Sequence, residues 1–485
     1  MGVYTLGIDI GTSSVKAGLL EPDSGCMEYI SQRSYDSAAL QNTGVIWDKT
    51  LEVLKDLGAI ISEGKRIAAF GLSGQMHGTV MYDKLGRVIE PLINWQDKSC
   101  NQPLAKYGGK TTIDVIYELL KDTQLDELGV DRIASGFLGA TLFYIKENDP
   151  FLFNRIRYAS LPTDFIRGKL LGKTPRSTDP TNAASTGIFD IRRMFWHSEV
   201  IKRLGLPCSH LPQIHVSIGA AGFLDRRVLD STGLQGNIGI IYGGGDLQMS
   251  VLGGGITGAG SPDLLNIGTG AQIVRVTDVF EKLPGIDTWP YFFRNYLHVG
   301  ASLGGGASYH WLRDYLRSEL DIHLNYQQMD ELALSVPPGA YGLKFCTGPT
   351  RQDPRRKSGF YGDLTRSQDV GCMARAVMEG VLTDLYDYYQ QLGASKHDVM
   401  VGAGNGLGNS RVWSQIAADM FGKKMLVVNT ENAVYGAALF AASRLDRFRD
   451  LESAAGKIDY STFEPDRENA AVYRDNSQND MGKQT

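Results

Sequence analysis

Two short stretches of this chain read almost alike: Ile8-Asp-Ile-Gly-Thr-Ser13 lies over Leu265-Asn-Ile-Gly-Thr-Gly270, a displacement of about half the chain. In the first, the apolar residues Leu6, Ile8 and Ile10 give way to the polar turn Gly11 to Ser14 and resume from Val15 to Leu20, which predicts a β-hairpin with a hydroxyl-rich tip. Leu264 to Arg275 repeats the plan. Two similar hairpins in corresponding halves predict two domains of one ancestral fold facing each other across a shared cleft, each offering it a loop.

The first hairpin carries groups suited to phosphate. The backbone N–H groups of Gly11 to Ser14, the hydroxyls of Thr12, Ser13 and Ser14, and the Lys16 ammonium match phosphate oxygens, and Asp9, which breaks an apolar run, suits Mg²⁺ directly or through water. A plain hairpin turn is the alternative. Between the hairpins, the apolar run Ile238 to Tyr242 empties into Gly243-Gly-Gly-Asp246. A buried strand ending in a glycine turn with an acid at its tip presents a catalytic carboxylate outside the carboxyl end of a sheet, although an Asp that caps the next helix has the same local pattern.

Several further motifs are glycine-framed. Gly71, Gly74 and Gly78 surround Gln75-Met76-His77 at the end of an apolar strand, an arrangement suited to hydroxyl recognition, while a lone His there is as readily structural. Trp95-Gln-Asp97 sets an aromatic face beside an amide and a carboxylate, the combination that stacks on sugar C–H faces and bridges vicinal hydroxyls; a core Trp beside a solvated Asp is the plainer reading. His298-Val-Gly300 leads through Gly304 to Gly306 into a helix over Ala307 to Leu316, its glycines admitting either a nucleotide or close helix packing. The run Gly402 to Ser410 follows a short strand and makes an adenosine-sized niche around Gly404 and Asn405, yet the third glycine of a dinucleotide fingerprint would fall on Leu407. Gly172-Lys173-Thr174 is no Walker loop, since its first glycine would have to be Arg167. The segment from Lys98 to about Asn237 reads as mostly helical, with Thr178 to Asn182 an uncapped polar turn.

A net charge of −5 offers no basic patch for nucleic acid, and no apolar run approaches the ~18 residues that span a bilayer. The five cysteines are odd in number and far apart with no C-x-x-C pair, and the N-terminus carries no secretory pattern, so free thiols in a cytoplasmic protein are expected. The polar residues from about Glu468 onward predict a frayed tail.

Taken together, Gly7-Ile-Asp-Ile-Gly-Thr, Gly71-Leu-Ser-Gly-Gln-Met-His, Gly243-Gly-Gly-Asp, Asn266-Ile-Gly-Thr-Gly and the run at Gly402 resemble the FGGY carbohydrate kinases, from Gly7 to about Ala442 and in that family's order. The resemblance implies an α/β protein of two ribonuclease-H-like domains of the sugar kinase, actin and Hsp70 type: 1–242 binding sugar, 243–450 binding ATP, and 451–485 a tail. It also implies Asp246 as catalytic base and Asp9 as Mg²⁺ ligand. Gly11, Thr12, Ser13, Lys16, Gly268, Thr269, Gly270, Gly300, Gly404 and Asn405 would hold ATP, and Gln75, Met76, His77, Trp95, Asp97, Asp246 and Gln248 a ketose. Within the family, Trp95-Gln-Asp97 and Gly245-Asp-Leu-Gln248 look like the sedoheptulokinase branch, with xylulokinase next. A non-catalytic sugar or nucleotide sensor on the same fold is the competing expectation, and an actin-like ATPase that moves partners is disfavoured by the Gln75 and Trp95 clusters.

Overall fold

The computed structural model describes residues 2–61, 65–130, 132–215, 219–302, 304–349, 355–362, 368–445, 451–455 and 457–481. Two mixed sheets organise it. In the first, the strand order is Ala220–Phe223, Gly239–Ile241, Lys65–Gly74, Gly2–Ile10, Ser14–Glu21, Cys26–Ser34. In the second it is Asp287–Pro290, Tyr296–Ser302, Ala271–Thr277, Leu264–Ile267, Val399–Ala403, Lys424–Val428, Tyr460–Phe463.

Both sheets are wound the same way. Each opens with an antiparallel run that includes the predicted hairpin, three strands in the first sheet and four in the second, continues with two parallel strands beside the hairpin's first strand, and ends with an antiparallel one. The repeat in the sequence is therefore a repeat of topology. Apolar alternation explains the hairpins: Leu6, Ile8 and Ile10 are buried under the first sheet with Leu54 of the helix Thr43–Ile60. Ile273, Val381 and Trp413 make the matching core of the second.

The two halves meet on a pair of helices, Asp246–Gly253 and Asn432–Ala442, whose Met249, Leu252, Leu439 and Phe440 are buried in a third apolar cluster. The backbone of Asn432–Ala442 presses directly on the first sheet. A methyl group on Gly7 or Gly71 would overlap the carbonyls of Val434 and Ala437, and one on Gly253 or Gly436 would overlap the carbonyls of Asn432 and Met249.

The sequence boundary between Tyr242 and Gly243 falls inside the first sheet's territory, because Gly244–Gly245 pairs in parallel with Ser73 and Gly74. The polar C-terminal stretch is not frayed through its described part. Tyr460–Phe463 closes the second sheet and Arg467–Met481 is a helix, anchored by buried Ala470 and Tyr473 three residues apart. The Tyr473 hydroxyl donates to Glu379 at 2.7 Å and accepts from Arg375 at 2.8 Å, a burial that average composition conceals. The segment read as mostly helical also contains short strands, among them Tyr158–Ser160, which joins a small sheet with Leu40–Gln41, Gly78–Tyr82 and Val88–Asn94. All five cysteines are free, and among the described residues no helix is long and apolar enough to cross a membrane.

Candidate active site

Asp9 stands at the end of its strand with Ser73 opposite it on the parallel neighbour, and the Ser73 hydroxyl donates to Asp9 Oδ1 at 2.6 Å. Burial, aided by the Glu431 carboxylate, raises the Asp9 pKa, while Ser73 and Lys16 oppose the shift. Lys16 faces Asp9 across the hairpin, but its ammonium is engaged elsewhere: Nζ lies 2.7 Å from Glu431 Oε2.

The turn between them is clamped from three sides. The Tyr35 hydroxyl donates to the Gly11 carbonyl, Gln41 Nε2 donates to the Thr12 carbonyl at 2.6 Å, and Trp95 Nε1 donates to Thr12 Oγ1 at 2.9 Å. Gly11 was expected to offer its N–H to phosphate; that N–H instead closes the turn onto the Ser14 carbonyl at 2.9 Å.

Asp246 is the first residue of its helix and not its cap, which is Gly245. Gly245 N–H donates to Thr181 Oγ1 at 2.9 Å, and a side chain at Gly245 would run into Met76, so the glycines let the acid descend between strand and helix. Burial, then the charge of Asp9, push the Asp246 carboxyl up to about 7, in place of the unshifted value a lone exposed Asp would have. An acid so placed accepts a proton near neutrality, which is what general-base work on a hydroxyl asks for.

Next to this pair lies a wall of ring and amide groups. His77 stacks on Phe137 at 4.3 Å between centroids and meets the edge of Trp289 at 5.9 Å. Burial lowers its pKa to about 4, so the ring is neutral. Its Nδ1 is 3.0 Å from the Ser185 carbonyl, which only accepts, so Nδ1 carries the proton and Nε2 is an acceptor for a hydroxyl. Gln75 donates through Nε2 to Gln41 at 3.0 Å and leaves its buried Oε1 without a partner. Met76 is buried against Gly245. Trp95, at 41% exposure, presents an open indole face.

Two of the expected sugar contacts are partly engaged within the protein. Asp97 Oδ1 accepts from the Ser99 N–H at 3.1 Å and from the Ser99 hydroxyl, capping its own turn. Gln248 is fully buried and donates to the Pro290 carbonyl at 3.1 Å, with Oε1 unpartnered. Thr178 to Asn182 is not an uncapped turn: Asp179 caps the helix Pro180–Ala184 through Thr181 N–H at 2.9 Å and Asn182 N–H at 3.2 Å.

In the second half, the Gly268 N–H is used at 2.9 Å by the Gly270 carbonyl, as in the first hairpin. The Gly268 and Thr269 carbonyls accept from Gly306 and Ala307 at 2.8 and 3.0 Å, tying the loop to the start of the helix Gly306–Leu320. Gly404, at φ +82°, sits where a Cβ would be 2.5 Å from Asn266 Oδ1, so the turn holding exposed Asn405 lies over the second hairpin. Gly300 leaves the nucleotide set: it is buried in its strand, and its missing side chain makes room for Tyr388 of the helix Val370–Gln391.

Tyr35, Gln41, Phe137, Trp289 and Glu431 were not singled out from the sequence, while Ser73 and Thr181 fall inside the Gly71–His77 and Thr178–Asn182 stretches without having been named themselves. Each comes from a separate element and matches no local pattern; the one available signal was Glu431, an acid just ahead of the apolar helix at Asn432.

Comparison with known proteins bears on the family and the fold. Residues 4–253 match the N-terminal domain, and residues 290–445 the C-terminal domain, of the FGGY family of carbohydrate kinases. The xylulose kinase of Bacillus subtilis is 27% identical, covering 97% of this chain and 94% of the relative. The sedoheptulokinase of Mus musculus is 28% identical over 91% and 97%. The crystal structure of gluconate kinase from Lactobacillus acidophilus superposes with a TM-score of 0.83 at 23% identity, covering 98% of this chain and 96% of that one. The fold is thus that of two-domain α/β sugar kinases. The chain belongs to the FGGY family of carbohydrate kinases, and it is an ATP-dependent sugar kinase.

Proposed function

We propose that this kinase phosphorylates the terminal hydroxyl of a ketose, with sedoheptulose preferred, giving sedoheptulose 7-phosphate, and xylulose next. The observation that carries the reading is Asp246, set between strand and helix within reach of the Asp9 charge and beside the wall of His77, Trp95 and Gln75. Phosphoryl transfer passes through a loose transition state, so the protein contributes alignment and charge stabilisation.

Asp246 takes the proton of the attacking hydroxyl. His77 Nε2 accepts from a second sugar hydroxyl, Trp95 stacks on the carbon face, and Met76 bounds the pocket. Asp97, through the oxygen its own turn does not use, and the unpartnered Gln248 Oε1 accept further sugar hydroxyls. Sugar lies on the first half; the Gly268-Thr269-Gly270 loop, Gly404 and Asn405 receive ATP on the second, and Thr12, Ser13 and Lys16 meet its phosphates. Asp9 fits a hard, oxygen-seeking Mg²⁺. Among the described residues no cluster of three or more His, Cys, Asp or Glu is arranged to hold a metal. Held by Asp9, such an ion would supply neutralisation of the phosphate charge. Closure of the halves expels water, otherwise a competing acceptor.

The preference for sedoheptulose over xylulose rests on Trp95-Gln96-Asp97 and Gly245-Asp-Leu-Gln248. Coupled ADP release with Mg-ATP against sedoheptulose, xylulose, ribulose, fructose and glycerol tests it. Stimulation by orders of magnitude with sedoheptulose, and less with xylulose, is expected. No stimulation by any sugar, with ATP still bound, overturns the reading in favour of a sensor.

A further inference from the structure

Four charged groups meet at the junction of the halves: Asp9, Lys16, Asp246 and Glu431. Three are acids, and the single cation among them is paired with the acid farthest from it in sequence, 415 residues away. Glu431 differs from the other polar residues that immediately precede α-helices here. Asn42, Asp369 and Ser410 each accept a backbone N–H of the helix they precede, whereas Glu431 makes no side-chain bond to its own helix and spends its carboxylate on Lys16. Its position is fixed, because the helix behind it lies backbone-on-backbone against the first sheet and the Asp246 helix. The pair is not a loose surface contact: Lys16 is 18% and Glu431 37% exposed.

We infer that Glu431 is a positioning residue for the transfer, holding the Lys16 ammonium over the cleft in the unliganded chain and yielding it to the polyphosphate of ATP. Lys16 stands directly across the hairpin from Asp9, and its charge favours ionisation of that acid. Glu431, at 2.7 Å, holds the ammonium in an ion pair of its own. Phosphate oxygens, being more highly charged, then exchange with Glu431 for the same ammonium. This inference rests on the kinase reading and adds a residue to it.

The test is calorimetric ATP binding without sugar, together with steady-state kinetics, for the full chain and for Glu431→Gln, Glu431→Asp, Lys16→Met and the Lys16→Met/Glu431→Gln double variant. Glu431→Gln should tighten ATP binding about three- to tenfold, because the polyphosphate no longer competes with Glu431 for Lys16, and leave adenosine binding unchanged. Glu431→Asp should bring ATP affinity back toward the parent's. In the Lys16→Met background, Glu431→Gln should leave ATP affinity unchanged, since coupling is lost with the partner. Equal effects of Glu431→Gln with and without Lys16, or unchanged ATP affinity in a variant that melts like the parent, overturn the inference while sugar-stimulated turnover leaves the kinase reading standing. Failure of the parent chain to bind ATP overturns both.

Discussion

The two hairpins share a backbone and differ in charge. In the first, Asp9 faces Lys16 across the strands; in the second, the same two positions hold Asn266 and Gln272, which hydrogen-bond at 2.9 Å as neutral amides. Both turns close through the same glycine N–H, Gly11 onto Ser14 and Gly268 onto Gly270. What surrounds them diverges. The first turn is gripped by Tyr35, Gln41 and Trp95, and the second is stitched to the start of a long helix. A duplicated fold has thus kept its strand pairing and divided its electrostatics: one hairpin sets an acid opposite a cation, the other sets two neutral amides opposite each other.

Removing the acid that only the first copy faces should do most damage. Asp246→Asn is expected to lower kcat about a thousandfold with the sugar affinity retained, measured by single-turnover transfer. The same variant should be more stable. The folded Asp246 titrates at about 7 against 3.8 for an ordinary Asp, so the fold favours the protonated form, and ionisation withdraws stability as pH rises from about 4 to about 7. Asp246→Asn should therefore melt a few degrees higher than the parent at about pH 7.5 and no higher at about pH 4, by calorimetry. A stability gain that persists at the lower pH would locate its origin outside this carboxyl.

Converting the first hairpin to the chemistry of the second comes next. Asp9→Asn should cost about a hundredfold in kcat and raise the Mg²⁺ concentration needed for half-maximal rate, and adding Lys16→Gln should cost less than the product of the two single changes. Near-parental turnover in the double variant would break the comparison outright. The reverse exchange is smaller: Asn266→Asp sets a carboxylate beside the nucleotide loop and should weaken ATP binding about tenfold without creating new activity. Smallest is Gly268→Ala. Its Cβ would find nothing nearer than 3.8 Å, against 3.2 Å for one on Gly11, so turnover should stay within about twofold of the parent, while Gly11→Ala should lose more.

The repeat, the glycine turn at Asp246 and the strands around them were legible because each is written in contiguous residues. The helix Val370–Gln391 and the strand Lys424–Val428 announce themselves through periodicity, and so does the hairpin at Leu264. The partners of these residues were not legible. Whether Gly300 admits a ligand or a helix depends on Tyr388, nearly ninety positions later, and whether Lys16 is open depends on Glu431. Asp97 shows a shorter-range version: a carboxylate expected to bind sugar also holds its own turn through Ser99, an interaction two residues long. Local pattern thus fixes where the backbone turns, while the state of each polar group is decided by whatever the rest of the chain packs against it.

The seam at Gly7, Gly71, Gly253 and Gly436 has a mechanical meaning. Main chain touches main chain there, with no side-chain cushion to shear or repack. Such a joint resists sliding of one half along the other more than rotation about the paired helices. Because Asp246 opens one of those helices and Glu431 stands immediately before the other, the groups proposed to act in the transfer sit beside that seam, where a rotation of the halves would displace them least.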